Sequence, residues 1–176
     1  SKKLYLLVLN KLKNSILNYS RQSISQKDID KVVRVLRNDF ITQGPNISLF
    51  EKKINNKFGS KYSSVLSSGT AALHVLALAL NWSKKDIIIT TPITFLASAN
   101  CILYSGARPD FVDINKNSFT IDVNKLESKI KYYKKIGKNI KAVIGVDYAG
   151  NPCDWSSLRY LANKYNFTLI NDNCHA

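Results

Sequence analysis

The sequence has no methionine and little glycine, proline, cysteine or histidine: 7, 4, 3 and 2 in 176 residues. So little glycine and proline excludes a flexible linker or a fibrous protein. Three cysteines, an odd number without CxxC spacing, exclude a disulfide framework and point to a reducing cytoplasm. The adjacent Cys174-His175 pair lacks the four suitably spaced ligands of a zinc site, so no metal is expected. There is no GxxxxGK[ST], hence no P-loop. Long apolar runs are missing too. Leu4-Tyr5-Leu6-Leu7-Val8-Leu9 is broken by Asn10 and Lys11 after six residues. A membrane span needs ~20 and a signal core ~7–15, so no membrane partner is expected. With Ser1 first and no methionine, a piece of a longer chain, a processed product and a clone edge all stay open.

What is present is lysine. The net charge is +14, from 26 Lys+Arg against 12 Asp+Glu, and 21 of the 26 are Lys. Arginine is the usual residue for bidentate phosphate and base recognition. Lysine beside so many Asn and Ile reads as an A/T-rich codon background. The clusters Lys52-Lys53-Lys57-Lys61 and Lys129 to Lys141 are interleaved with apolar residues at helical spacing, as on solvated helix faces. Nucleic acid is not an expected partner. The 45% apolar content is that of a globular chain.

Hydrophobic periodicity lays out the elements. Ser25 with Asp28 resembles a capping box with Asp in place of Glu. Ile29, Val32, Val33 and Leu36 then form one helix face. Thr42-Gln43-Gly44-Pro45 breaks it, and Leu49, Phe50, Ile54 and Phe58 predict a second helix stopped by Gly59. Beyond, strands are expected at 62–66, 87–90, 110–113, 142–146 and 167–170, with helices at 70–80, 95–104, 123–136 and 155–165. The strand runs are uniformly apolar, the mark of strands buried on both faces. The expected class is α/β: a mostly parallel sheet of at least five strands flanked by helices.

Ligands in such sheets bind beyond the carboxyl ends of the strands. Ser67-Ser68-Gly69-Thr70 falls there, before a helix. Gly69 admits close backbone approach, and the helix N-terminus suits a phosphate; equally, Ser68 simply caps the helix. Asp172 follows another strand, placed to pair with a protonated ring nitrogen or to serve as a loop cap. His74, within an apolar helix, reads as a packed histidine.

Ser67-Ser68-Gly69-Thr70-Ala71-Ala72-Leu73-His74 resembles the signature of the DegT/DnrJ/EryC1/StrS sugar aminotransferases, pyridoxal-phosphate enzymes of fold type I. Thr42-Gln43-Gly44-Pro45, Thr91 to Phe95, Ala97 to Asn100, Gly106 to Ile114 and Asp172 to Ala176 follow in order, so the likeness spans residues 19–176. Pro92 to Phe95 and Asp147 to Asp154 look most like the branch that aminates a UDP-4-keto-6-deoxy-N-acetylhexosamine for pseudaminic acid, with glutamate as donor. The resemblance implies a cytoplasmic homodimer acting on a nucleotide sugar. It implies that Gly69 and Thr70 hold the cofactor phosphate, Phe95 stacks on the ring, Asp172 pairs with its nitrogen and His175 lies beside its 3-oxygen. Tyr19, Asp39, Phe40, Ile41 and Thr42 fall at substrate-contacting positions.

The same resemblance divides the chain into residues 1–18 of unassigned role, a helical segment 19–60 and an incomplete cofactor-binding large domain 61–176. The family's Schiff-base lysine belongs to a Ser-Phe-x-x-x-Lys segment that these residues do not contain. The strand at 62–66 would pair with a later strand. The expectation is therefore the N-terminal half of an aminotransferase, inactive alone and with no catalytic residue of its own. Alternatives are another nucleotide-sugar aminotransferase, the family's lysine-less sugar dehydratases and a non-catalytic basic fragment.

Overall fold

The computed structural model describes residues 22–176. The described residues divide into two compact units, 22–63 and Ser64–Ala176. The first holds helices α1 (Gln26–Leu36) and α2 (Asn46–Phe58). At the start of α1, the Asp28 carboxylate accepts the Ser25 amide at 2.9 Å and its hydroxyl at 2.7 Å. An acidic group there also opposes the positive end of the helix dipole. The expected face of Ile29, Val32, Val33 and Leu36 forms and is 37–59% exposed. Helix α2 begins earlier than the Leu49 periodicity suggests, directly after Pro45, whose φ of −70° is already helical. It ends at Gly59 with φ +65°, a left-handed turn that glycine makes without steric cost.

The second unit alternates helix and strand. In order it has α3 (Gly69–Ala79), β1 (Ile87–Thr90), α4 (Ala97–Tyr104), β2 (Arg108–Phe111), α5 (Val123–Lys135), β3 (Ile140–Val146), α6 (Trp155–Tyr165) and β4 (Thr168–Asp172). The sheet is parallel, ordered β2-β1-β3-β4. Neighbouring side chains on a strand point to opposite faces, and both faces are apolar here. Ile88, Ala142 and Ile144 pack with Leu73 and Ala77 of α3 and Cys101 and Ile102 of α4. Ile89 and Val143 pack on the other side with Leu126 and Ile130 of α5 and Leu158 and Leu161 of α6. Ile88, Ile89, Ile144 and Leu158 are wholly buried; burial of each stabilises by about 1.5–3 kcal/mol. The α/β class with helices on both faces is the one the apolar strands predict.

Two expectations are corrected. Among the described residues four strands form, not five or more: residues 62–66 do not join the sheet, and Tyr62 is 78% and Leu66 40% exposed. An apolar run becomes a strand only where another edge meets it, and none does among the described residues. The strand expected at 110–113 lies two residues earlier, because Ile87 to Thr90 register with Arg108 to Phe111. Asp113 instead bonds the Lys125 ammonium at 2.6 Å.

The carboxyl ends of β1, β3 and β4 come together at one edge of the unit. The Thr90 hydroxyl donates to the Ile144 carbonyl at 3.2 Å, and the Asp147 amide to the Asp172 carbonyl at 3.0 Å.

Candidate functional site

At these strand ends lies a cleft of about 270 Å³. Gly69 and Thr70 line it from α3, Thr94 and Phe95 from the segment after β1, and Val146, Asp147 and Tyr148 from the end of β3. Asp172, Cys174 and His175 close it from the end of β4. All five residues expected to hold a cofactor, Gly69, Thr70, Phe95, Asp172 and His175, are therefore gathered in one place.

One wall is the start of α3. Ser68, in extended backbone, accepts the Ala71 amide on its hydroxyl at 3.1 Å. Capping thus claims the third amide of the turn and leaves those of Gly69 and Thr70 without an acceptor among the described residues. The two readings of this segment are compatible: Ser68 caps, and the first two donors stay available to an anion. A Cβ at Gly69 would sit 2.5 Å from the Cys174 sulfur, so any larger residue there must push that thiol aside.

The floor is Asp172, last residue of β4 and only 8% exposed. The Ser98 hydroxyl donates to its Oδ2 at 2.7 Å, and the Cys174 amide lies 3.4 Å from Oδ1. The carboxylate lines the cleft, with Ser98 and Cys174 as its donors. Its charge is felt by its neighbours. The Cys174 thiol is pushed up to about 11, first by its hydrogen bond to Asp172 and then by burial. Cys101, behind Ser98, is pushed up to about 11, first by burial and then by the same charge.

Phe95 is 69% exposed although it follows a buried strand. It is not a core residue; its ring borders the open cleft. His175 is exposed at the rim. His74 is half-buried, its ring tilted against Tyr104 at 5.1 Å. Asp147 is turned to the structure: its Oδ1 accepts the Cys153 amide at 2.9 Å and the Trp155 indole at 3.1 Å.

Asp39, Phe40, Ile41 and Thr42 lie in the first unit, in the bend between α1 and α2, with Phe40 and Ile41 65–67% exposed. Tyr19 lies outside the described residues. Ser98 was not singled out by the sequence, although it sits within a quoted motif; only its distant bond to Asp172 marks it. No group of three or more His, Cys, Asp or Glu among the described residues is placed to hold a metal. Among the same residues no helix is long and apolar enough to cross a membrane.

The family described as DegT/DnrJ/EryC1/StrS aminotransferases matches residues 22–176. A UDP-4-amino-4,6-dideoxy-N-acetyl-beta-L-altrosamine transaminase of Campylobacter jejuni is 41% identical over 161 residues, covering 92% of this chain and 42% of that one. Helicobacter pylori PseC, an aminotransferase involved in pseudoaminic acid biosynthesis, superposes with TM-score 0.79 at 35% identity, over 92% of this chain and 42% of that one. A Bacillus subtilis protein, ntda, solved with bound cofactor PMP, superposes with TM-score 0.75 at 28% identity, over 89% and 38%. This chain spans about two fifths of the length of the curated relatives it matches.

Proposed function

Because the chain belongs to the DegT/DnrJ/EryC1/StrS aminotransferase family, we propose that its strand-end cleft holds pyridoxal phosphate in a nucleotide-sugar transaminase. The observation that carries this is the pairing of two features across one small cleft: unclaimed helix-start amides at Gly69 and Thr70, and the buried carboxylate of Asp172. The residues fit the group. An anion gains about 0.3–1 kcal/mol at an exposed helix start and up to ~2 where it is partly buried. Gly69 and Thr70 would hold the phosphate, Asp172 the protonated ring nitrogen, and the open Phe95 ring would cover one face for about 0.5–1.5 kcal/mol. His175, at the rim, would lie beside the 3-oxygen. When bound, the cofactor supplies an electron sink for amino-group transfer. The protein's share of that is to keep a proton on the ring nitrogen, which a fixed carboxylate does.

The finer reading is that the amino acceptor is a UDP-4-keto-6-deoxy-N-acetylhexosamine and the donor glutamate, in a cytoplasmic homodimer. The Campylobacter and Helicobacter relatives support that branch. Asp39, Phe40, Ile41 and Thr42, with Tyr19, enter as substrate contacts through the family likeness alone. No described lysine lines the cleft, so the covalent amine of this chemistry is not among the described residues that form it.

The test is to dialyse the chain against pyridoxal phosphate, then add borohydride. Reversible binding is expected, weakened by Asp172→Asn and by Thr70→Ala, with no adduct concentrated at one lysine after reduction. A stoichiometric adduct at a single lysine would overturn the assignment of this chain as non-covalent holder. Binding unaffected by both substitutions would move the cofactor elsewhere.

A further inference from the structure

Asp172 does not stand alone on the cleft floor. Ser98, in the first turn of α4, is wholly buried. Its oxygen lies 2.7 Å from Asp172 Oδ2, 2.8 Å from the Thr94 hydroxyl and 3.2 Å from the Phe95 carbonyl. A serine hydroxyl has one proton to give. The shorter, charged acceptor takes it, because hydrogen bonds to ionised groups are about twice as strong as neutral ones. Ser98 can then only accept from Thr94. The direction of the chain is fixed: Thr94 donates to Ser98, and Ser98 donates to Asp172.

We propose that Ser98 is a positioning residue for the ring-nitrogen site: its hydroxyl, oriented by Thr94, aims the Asp172 carboxylate into the cleft. This rests on the reading of Asp172 as partner of the cofactor's ring nitrogen. The carboxylate's other support is weaker, from the Cys174 amide at 3.4 Å and the Cys174 thiol, a poor donor. The flanking thiols, Cys101 and Cys174, are both held protonated and add no charge. Thr94 and Phe95 are adjacent in sequence and both line the cleft. The loop that presents the ring-covering Phe95 therefore also controls the acid partner, and a cofactor seated on one is felt by the other.

The test titrates the chain with pyridoxal phosphate carrying 15N in its ring. The nitrogen shift reports whether the ring is protonated, and the same titration gives Kd. Ser98→Ala is expected to bind about tenfold more weakly, the loss of one charge-assisted bond, and to move the shift toward unprotonated nitrogen. Ser98→Thr, which keeps the hydroxyl, should hold the wild-type shift, and Thr94→Val should move it part of the way. A wild-type shift in Ser98→Ala, with Asp172→Asn abnormal, overturns the proposal while the reading of Asp172 stands. If wild type and Asp172→Asn hold the ring alike, that reading falls and the proposal with it. Should Ser98→Ala not fold, by its melting curve, Thr94→Val decides: an unchanged shift there refutes the relay.

Discussion

Replacing Gly69 by alanine places a methyl group 2.5 Å from the Cys174 sulfur and 3.8 Å from its Cβ. Carbon and sulfur in ordinary contact are about 3.5–4 Å apart, so the overlap with sulfur is roughly 1 Å and that with Cβ is nil. Relief requires turning the thiol away from Asp172 or shifting the first turn of α3, which carries the unclaimed amides. Overpacking of this kind costs about 1–3 kcal/mol. Alanine returns up to ~1 kcal/mol of helix propensity. The structure therefore predicts that Gly69→Ala destabilises by about 0–2 kcal/mol in the native background. After Cys174→Ala the sulfur is gone, and the same change should be neutral or stabilising. The double-mutant coupling is expected at about 1–3 kcal/mol, the overpacking that removal of the sulfur relieves. Urea unfolding of the four proteins measures it. An equal cost of Gly69→Ala in both backgrounds would refute the claim that sulfur contact dictates glycine here.

Two further outcomes follow from charges. The Glu127 carboxylate accepts from Lys164 at 2.9 Å, Tyr165 at 2.8 Å and Lys131 at 3.0 Å, and is held down at about 2, chiefly by the Lys164 bond. Its folded value lies below the ordinary 4.5, so its contribution is full above that and is lost as pH falls toward about 2. Glu127→Gln should flatten the acid limb of a stability–pH profile within that window; an unchanged limb would contradict the pairing. Cys174, though exposed, should label slowly at pH 8 because its thiol is raised to about 11, first by Asp172. Asp172→Asn should speed that labelling several-fold, counted by mass against time, while buried Cys101 and Cys153 label only on unfolding. A rate insensitive to Asp172→Asn would be the adverse result.

The helices were legible because their signals are local. Ser25 and Asp28 sit three residues apart and bond each other, and Gly59 ends α2 by its own backbone preference. Residues 62–66 misled because strand formation is decided by a neighbour, and local apolarity carries no news of one. That Gly69 and Asp172 would lie at one cleft was readable from their place at strand ends. The reason for Gly69 was only half readable: a ligand was expected close to it, and the cysteine sulfur was not. Ser98 was silent because a serine near a helix start looks like every other; its role lies in a bond to a residue 74 positions away. Lys129 was expected on a solvated face, yet its ammonium is tied to Asp110 at 2.8 Å and to the Phe111 carbonyl at 2.6 Å.

The parallel order of the sheet also sets a timetable. Thr90 bonds Ile144, 54 residues later, and Ser98 waits 74 residues for Asp172. A ribosome adding about 5–20 residues per second completes the start of α3 and the Phe95 loop many seconds before β4 leaves it. Until then the cleft has walls and no floor, and the apolar inner strands have no complete set of neighbours. Cofactor capture thus waits for β4, and the exposure of Ile87 to Ile89 beforehand makes the interval before β3 arrives the one most open to misassociation.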